Sequence, residues 1–240
     1  MDTSVHIANV QALRERIRCL EGGARHRRAV LPFGIKAIDE RLPEGGLAFG
    51  ALHEVAGGGT GAVDGAAAAL FAAGIAARTR GHVLWCVTRQ DLFAPALAQA
   101  GLTPDRAIYV EAGDEKSVLA CFEEALRYRK LGAVVAEIGH LSMTSSRRLQ
   151  LAAEGSGVIG LALRRWRRQV EAAEFDQPTV SITRWRVSAL PTTPLPVSGV
   201  GRARWRLELV RCRGGESATF GVEALGPRVV SLCRPSCRQV

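Results

Sequence analysis

The chain has 240 residues, of which 47% are hydrophobic, and its 32 Lys or Arg against 23 Asp or Glu give a formal net charge of +9. This length and apolar fraction fit one α/β domain with short appendages, and they exclude global disorder. Residues 151–240 hold 14 basic and 7 acidic side chains, whereas residues 1–150 are nearly balanced at 18 and 16. A basic C-terminal part indicates a polyanionic partner, with nucleic acid as the first candidate and a membrane surface as a weaker one.

Cysteine usage and the N-terminal residues indicate the compartment. Cys233 and Cys237 are close in sequence, but no further Cys or His lies near them, so we predict no metal site. Cysteines that remain free thiols are typical of proteins of the cytosol. The N-terminus lacks a basic segment followed by an apolar run, and the Ala-rich residues 66–77 are too weakly hydrophobic to cross a bilayer. We therefore expect a cytoplasmic protein, associated with the nucleoid and without membrane contact.

The first predicted element is an amphipathic helix at residues 4–20, where apolar side chains recur at helical spacing. Two glycines end this helix, and a basic linker runs on to residue 30. We predict the compact domain over residues 31–226 and a C-terminal tail over residues 227–240.

Strands and helices alternate through the compact domain. Apolar runs predict strands at residues 51–56, 82–88, 108–110, 132–138 and 157–163. The predicted helices are 65–79, 91–100, 114–130 and 143–154. Continuous apolar runs are typical of strands buried on both faces, so we expect an α/β fold with a mainly parallel central sheet. Later strands are predicted at 179–188, 203–212 and 217–225. Their polar–apolar alternation predicts antiparallel strands that extend the sheet with one wet face.

The first strand leads into a cluster of glycines and then into a helix, which is the frame of a phosphate-binding loop. The Walker sequence G-x-x-x-x-G-K-[ST] also needs a Lys for the phosphates and a hydroxyl for Mg²⁺. From Gly57, its last three positions fall on Ala62, Val63 and Asp64, and registers from later glycines supply neither group. We therefore predict a degenerate nucleotide-binding loop without catalytic residues. Its members are Gly57, Gly58, Gly59, Thr60, Gly61, Ala62, Val63 and Asp64.

Three interpretations of this loop remain open at the sequence level. Asp64 would place a negative charge close to where a phosphate would sit, which disfavours nucleotide. We favour a tight turn kept for helix–sheet packing, with no cofactor. Weak binding of a nucleotide or another anion through backbone N–H groups is the second interpretation, and hydrolysis is the third.

Residues 31–57, LPFGIKAIDERLPEGGLAFGALHEVAG, resemble the start of the RecA/Rad51 ATPase core: a segment of the G-x-x-x-L-D type, then GGL-x-x-G, then the strand into the phosphate loop. The order of elements over residues 31–225 follows that core. The absent lysine, the short length and the Arg-Trp-Arg strands together resemble the ImuA family. The resemblance implies a RecA-like P-loop NTPase core. It also implies a place in SOS-induced mutagenesis cassettes, which encode ImuB and an error-prone DNA polymerase beside ImuA.

The resemblance also shows where this chain departs from an active RecA ATPase. It places Arg89, or its neighbour Thr88, where the catalytic glutamate would stand. Glu137, at the end of the strand at 132–138, is Walker B-like. Without the other parts, this carboxylate cannot run catalysis alone. We expect Glu137 to cap the next helix or to pair with an arginine.

Three tryptophans are flanked by arginines, in RRWRR at 164–168 and in RWR at 184–186 and 204–206. On a strand, alternate side chains point to opposite faces, so we expect Trp185 and Trp205 in the core. The flanking arginines would then share one basic surface if the strand registers agree.

In the resembled fold, the loop that begins at residue 164 contributes to single-stranded DNA binding. Arginines there would contact phosphates, and Trp166 would stack on a base. The alternatives are a basic loop that meets an acidic protein partner, or a loop with neither role. The predicted DNA-binding residues are Arg164, Arg165, Trp166, Arg167, Arg168, Arg184, Arg186, Arg204 and Arg206.

Two main functions follow from these observations. The first is a non-enzymatic accessory protein of SOS-induced DNA damage tolerance by translesion synthesis. It would bind single-stranded or damaged DNA, an ImuB-like Y-family polymerase homologue, the error-prone DNA polymerase or RecA. The helix at 4–20 is the expected partner-binding element, since RecA-like proteins pack an N-terminal helix on a neighbouring subunit.

The second function is a DNA-dependent ATPase of the RecA class with an atypical phosphate loop. It would need a lysine from elsewhere, with Lys36 and Lys116 as candidates. A SulA-like cell-division inhibitor is a weaker alternative, because the C-terminal part of this chain is basic.

Overall fold

The computed structural model describes residues 29–59, 61–166, 172–196, 199, 201–225 and 229–232. The predicted helix at 4–20, almost all of its basic linker and most of the predicted tail lie outside these residues, as do Cys233 and Cys237. Thr60, Arg167 and Arg168 lie outside them as well.

The secondary structure follows the predicted order. The strands are β1 (Val30–Leu31), β2 (Leu47–Ala48), β3 (Ala51–Gly57), β4 (His82–Val87), β5 (Ala107–Glu111), β6 (Leu131–Ile138), β7 (Ile159–Arg164), β8 (Thr183–Leu190), β9 (Arg204–Cys212), β10 (Ala218–Leu225) and β11 (Val229–Leu232). The α-helices are α1 (Lys36–Asp39), α2 (Ala62–Ala77), α3 (Ala94–Gln99), α4 (Glu115–Leu126) and α5 (Met143–Ser156). Short 3-10 helices lie at Pro43–Gly45 and Ala173–Asp176.

Nine of the described strands form one sheet in the order β11-β10-β9-β8-β3-β7-β6-β4-β5, while β1 and β2 form a small separate ribbon. The six strands from β8 to β5 are parallel, and β9, β10 and β11 are added antiparallel. The predicted mainly parallel sheet with antiparallel C-terminal strands is therefore confirmed.

Two strands differ from the prediction. The sequence predicts β8 as antiparallel, but β8 runs parallel to β3 and pairs antiparallel only with β9. The alternating polar side chains of β8 suggest a solvent-exposed face, but Arg184 on that face is buried. The second difference is β11, which lies in the segment predicted as a tail and pairs with β10.

Helices cover both faces of the sheet. The Ala-rich α2 packs on β3 and β8, where its small side chains allow a close approach. On this face Trp185 packs against Phe33 and Phe71, with ring centroids 5.5 and 5.7 Å apart. Helices α4 and α5 cover the other face with a second apolar cluster. Trp185 and Trp205 are both buried, which confirms their predicted core role.

A buried histidine connects the sheet to the small ribbon. The Nδ1 atom of His53 on β3 lies 2.8 Å from the Thr183 hydroxyl, which also accepts from Trp185 Nε1. The Nε2 atom of His53 lies 3.0 Å from the Ala48 carbonyl oxygen on β2. These contacts suit a neutral imidazole that donates through Nε2 and accepts through Nδ1. Burial lowers the pKa of His53 to about 4.

This histidine makes stability depend on pH. Because its pKa is lower in the folded chain than the unfolded value near 6.5, protonation favours unfolding, and stability falls as the pH drops through this range. Between pH 7 and pH 5, we expect the free energy of unfolding to fall by about 2 kcal/mol more in the wild type than in a His53→Gln variant. Urea unfolding at both pH values measures this, and equal pH dependence of the two chains would contradict it.

None of the helices in the described part of the chain combines the length and the hydrophobicity that a bilayer span requires.

Candidate phosphate loop and nucleic-acid interface

The glycine loop joins β3 to α2 at the position of a phosphate loop. β3 ends at Gly57, and α2 begins at Ala62 with Gly61 as its N-cap. The Walker register that starts at Gly57 therefore matches the start of the helix. Val63 and Asp64 stand in the first turn, where that register requires the lysine and the hydroxyl. The Val63 side chain is 68% exposed. The loop thus joins a strand to a helix, and in this register it has neither the lysine nor the hydroxyl of the Walker sequence.

The Asp64 carboxylate fastens this loop to β8. Its Oδ1 accepts a hydrogen bond of 2.8 Å from the backbone N–H of Ala189, and the Gly58 N–H donates to the Val187 carbonyl at 2.7 Å. A methyl group on Gly59 would lie 2.8 Å from Asp64 Oδ2, so a larger residue there would force the Asp64 carboxylate to shift. The N-terminal end of α2, which favours negative charge, thus already has a carboxylate of the chain beside it.

A cavity of about 270 Å³ opens beside the loop. Its wall contains loop glycines, Phe93 and Trp166, and the basic residues among its described lining are Arg164 and Arg165. Both guanidinium groups already have acidic partners, in Glu54 for Arg164 and in Asp91 and Glu137 for Arg165. Neither Lys36 nor Lys116 is among the described residues that line this cavity. The described residues of this cavity therefore offer little free positive charge to a phosphate chain.

A second cavity, of about 520 Å³, lies at the carboxyl ends of the neighbouring parallel strands. Thr88 and Arg89 line it, and Arg89 Nε lies 3.5 Å from Asp91 Oδ2. Glu137 also lines it, accepts a 2.9 Å hydrogen bond from Trp85 Nε1 and pairs with Arg165.

Glu137 therefore has one of the two roles that the sequence left open. It pairs with an arginine, while Ser142 caps α5 by accepting from the Ser145 N–H. Burial acts to lower the pKa of Arg165, but the Glu137 and Asp91 carboxylates outweigh it and raise that pKa. The Arg165 guanidinium thus stays charged, and Glu137 is held against a cation.

A buried ionic cluster, which the sequence analysis missed, lies beneath the loop after β7. Glu54 on β3 is fully buried and accepts from Arg164 Nη1 at 2.9 Å, and Arg184 Nε lies 3.3 Å from its Oε1. The hydroxyls of Ser181, at 2.7 Å, and Thr179 also donate to Glu54. The available signal was a glutamate inside the apolar strand sequence ALHEVAG.

Two predicted DNA contacts belong to this cluster. Arg164 is 2% exposed and Arg184 is 4% exposed, so neither guanidinium faces a surface that DNA can reach. The prediction that Arg184 contributes to an exposed basic surface is wrong, because Glu54 and the Phe175 carbonyl hold its side chain inside. Arg184 Cζ also lies 4.5 Å from the centre of the Phe175 ring. Burial lowers the pKa of Arg184.

Other predicted contacts are nearer to solvent. Arg186 is half-buried and lies 3.2 Å from Asp176, while Arg206 is exposed and lies 3.1 Å from Glu208. Arg204 is half-buried and reaches the Pro191 carbonyl at 3.4 Å. The register pairs Arg186 with Glu208, Ser188 with Arg206, and Leu190 with Arg204. Directly paired residues share a face, so these three arginines lie on one face of β8 and β9.

Arg165 and Trp166 lie between the two cavities and line both. The Trp166 ring lies 6.0 Å from that of Phe175, at an angle of 52°. The fold therefore brings the start of the loop after β7 close to the glycine loop and to β6, which carries Glu137. It does not bring all nine predicted DNA contacts onto one surface.

No protein-family model matches the chain. Protein ImuA of Caulobacter vibrioides strain NA1000 / CB15N is 40% identical over 215 residues, covering 85% of this chain and 87% of the relative. Protein ImuA of strain ATCC 19089 / CIP 103742 / CB 15 matches to the same extent. The crystal structure of the RadB recombinase covers 85% of this chain and 100% of its own, with a TM-score of 0.58 and 15% identity. This last likeness shows the RecA-like fold alone.

Proposed function

The chain belongs to the ImuA family, and we propose that it is a non-enzymatic accessory protein of SOS-induced DNA damage tolerance. One observation carries the proposal. In a loop with the frame of a phosphate-binding site, Val63 and Asp64 replace the lysine and the hydroxyl, and the Asp64 carboxylate bonds to the Ala189 N–H.

The energetics favour an inactive loop. Two unit charges about 4 Å apart interact by about 4 kcal/mol at an effective dielectric constant of about 20. A lysine in the first turn of α2 would attract a bound phosphate with an energy of this size, whereas the Asp64 carboxylate would repel it. The two basic residues in the cavity wall would have to leave Glu54, Asp91 or Glu137 to compensate.

We place direct DNA contact on the residues that stay close to solvent. These are Arg165 and Trp166 at the start of the loop after β7, and Arg186, Arg204 and Arg206 on β8 and β9. We propose the same role for Arg167 and Arg168 from the sequence alone, since both lie outside the described residues. The net charge of the C-terminal part supports a polyanion here. Arg164 and Arg184 are left out because they are buried in the ionic cluster.

The proposed protein partners follow from family membership. They are an ImuB-like Y-family polymerase homologue, the error-prone DNA polymerase that acts with it, and RecA. We propose the segment at residues 4–20, which lies outside the described residues, as the partner-binding element.

A DNA-dependent ATPase is the second candidate function. The cavity of about 270 Å³ beside the loop favours it, since a nucleotide base or sugar could enter there. It would require Arg165 to release its carboxylates and hold a phosphate instead.

Complementation in cells tests the accessory role. In a strain that lacks this chain, we expect an Asp64→Asn variant to restore damage-induced mutation frequency as fully as the wild type, because the amide oxygen keeps the bond to Ala189 and no nucleotide step is needed. We expect an Arg186→Gln/Arg206→Gln variant to restore less, because it loses two phosphate contacts. Failure of a folded, equally abundant Asp64→Asn variant would contradict the proposal.

Binding to single-stranded DNA across a salt series tests the contact itself. Each lost phosphate contact should reduce the slope of log affinity against log salt by about 1, so the double variant should lose about 2. The matched control is Arg80→Gln/Lys130→Gln, which removes two exposed charges that precede β4 and β6. Equal slopes for both double variants would exclude β8 and β9 as the DNA surface.

A further inference from the structure

Two cysteine thiols from different elements touch beneath α4. Cys86 lies on β4 and Cys121 on α4, and their Sγ atoms are 3.3 Å apart. Cys86 is fully buried, whereas Cys121 is half-buried at the edge of the same apolar cluster. Neither residue lines the two cavities near the phosphate loop. The pair is therefore separate from the site described above.

We propose that Cys86 and Cys121 are a reversible oxidation site that forms a disulfide with a peroxide as the oxidant. A disulfide bond is about 2.05 Å long, so the sulfur atoms need to approach each other by little more than 1 Å. One thiol is on β4, which lies between β6 and β5 in the sheet, and the other is on α4, which packs over it. Rotation of the two short side chains can supply this movement while the strand stays in place.

The chemistry balances in two steps. The Cys121 sulfur attacks one peroxide oxygen, the O–O bond breaks, and the departing oxygen leaves as water, so that Cys121 becomes a sulfenic acid. The Cys86 sulfur then attacks the Cys121 sulfur, the S–O bond breaks, and a second water leaves with the Cys86 proton. In total, two thiols and one hydrogen peroxide give one disulfide and two waters. A dithiol reductant restores both thiols by exchange.

The surroundings of the two thiols determine which of them is oxidised first. Burial, together with the neighbouring Cys121 thiol, raises the pKa of Cys86, so Cys86 is a poor thiolate and is shielded from solvent. Cys121 reaches the surface and meets the oxidant first. Cys86 is then the resolving thiol, already in contact with the sulfur that it must attack.

The disulfide would fasten α4 to β4. Asp114 caps α4 and Glu115 is its first residue, and both line the cavity of about 520 Å³ at the carboxyl ends of the strands. A cross-link between residues 86 and 121 closes a loop long enough that we expect oxidation to raise the Tm by roughly 5–10 °C. The Tm is measured on the whole chain, because the disulfide joins β4 and α4 within the folded domain.

Peptide mapping tests the pair directly. The folded full-length chain is treated with hydrogen peroxide, alkylated and digested with trypsin, which releases Cys86 in residues 81–89 and Cys121 in residues 117–127. We expect these two peptides to appear linked, at the sum of their masses less two hydrogens, and to separate after dithiothreitol. Cys121 recovered as sulfinic acid or unreacted, without the linked peptides, would overturn the proposal.

Variants connect the bond to the stability change. Cys121→Ser and Cys86→Ala should each abolish the oxidation-induced rise in Tm. Cys212→Ala is the matched control, because Cys212 is a buried thiol on β9 in the cluster on the other face of the sheet, and it should keep the full rise. A rise that persists in Cys121→Ser would show that another thiol is responsible. The linked peptides of the wild type provide the test even where a variant fails to fold.

Discussion

Replacing Glu54 with glutamine is expected to lower the free energy of unfolding by about 3–5 kcal/mol, the cost of leaving a buried charge without its partner. Glu54 is fully buried, and two arginine side chains of 5% exposure or less depend on it. Glutamine fits the space and can still accept one hydrogen bond from Arg164. It cannot neutralise two guanidinium groups, and its amide hydrogens would face the Ser181 and Thr179 hydroxyls.

An exposed ion pair provides the control. Glu216 lies 3.2 Å from Arg41, and its side chain is 84% exposed. Because surface pairs contribute little, Glu216→Gln should change the unfolding free energy by less than about 1 kcal/mol. Urea unfolding with matched m-values compares the two variants. If Glu54→Gln cannot be purified folded, Ser181→Ala should still lose about 1–2 kcal/mol by removing one donor to the carboxylate. Equal, small losses in all three variants would contradict the buried cluster.

Restoring the phosphate loop is expected to produce the second large effect. The triple substitution Ala62→Gly, Val63→Lys and Asp64→Thr completes the Walker sequence in the register that matches the start of α2. It adds a cation, adds a hydroxyl for Mg²⁺ and removes the carboxylate. A single charge-assisted hydrogen bond contributes about 1.5–3 kcal/mol, so the affinity for Mg·ATP should rise by about 10-fold or more.

Matched variants separate the charge effect from the shape of the loop. Val63→Gln has a long polar side chain without charge and should gain little affinity over the wild type. Val63→Lys alone should gain less than the triple variant, because Asp64 remains beside the added cation. Calorimetric titration with Mg·ATP measures all four chains. A wild type that binds as tightly as the triple variant would mean that another group already holds the phosphates.

Local sequence patterns were sufficient for much of the fold. Apolar runs located the parallel strands, and glycines located the loop, because both signals depend on neighbours within a few residues. The arginine–tryptophan alternation correctly placed Trp185 and Trp205 in the core, since alternate side chains on a strand must face opposite ways.

The site depended on partners far apart in the chain. Arg164 and Arg184 look like surface residues in the sequence. Both are buried because they pair with Glu54, which lies 110 positions before Arg164. In the same way, Asp64 bonds to Ala189, 125 positions away. A single sequence shows that a charge is present but not which distant group neutralises it. That is why the direction of β8 and the burial of two arginines were predicted incorrectly.

We expect this RecA-like chain to act without nucleotide hydrolysis, and an assay of phosphate release measures this. The wild type and a Glu137→Gln variant, which keeps an acceptor for Trp85, are incubated with Mg·ATP and single-stranded DNA. We predict equal release from the two proteins, at the level of the protein-free reaction. Release by the wild type that exceeds release by the variant and increases with single-stranded DNA would mean that the chain is an ATPase.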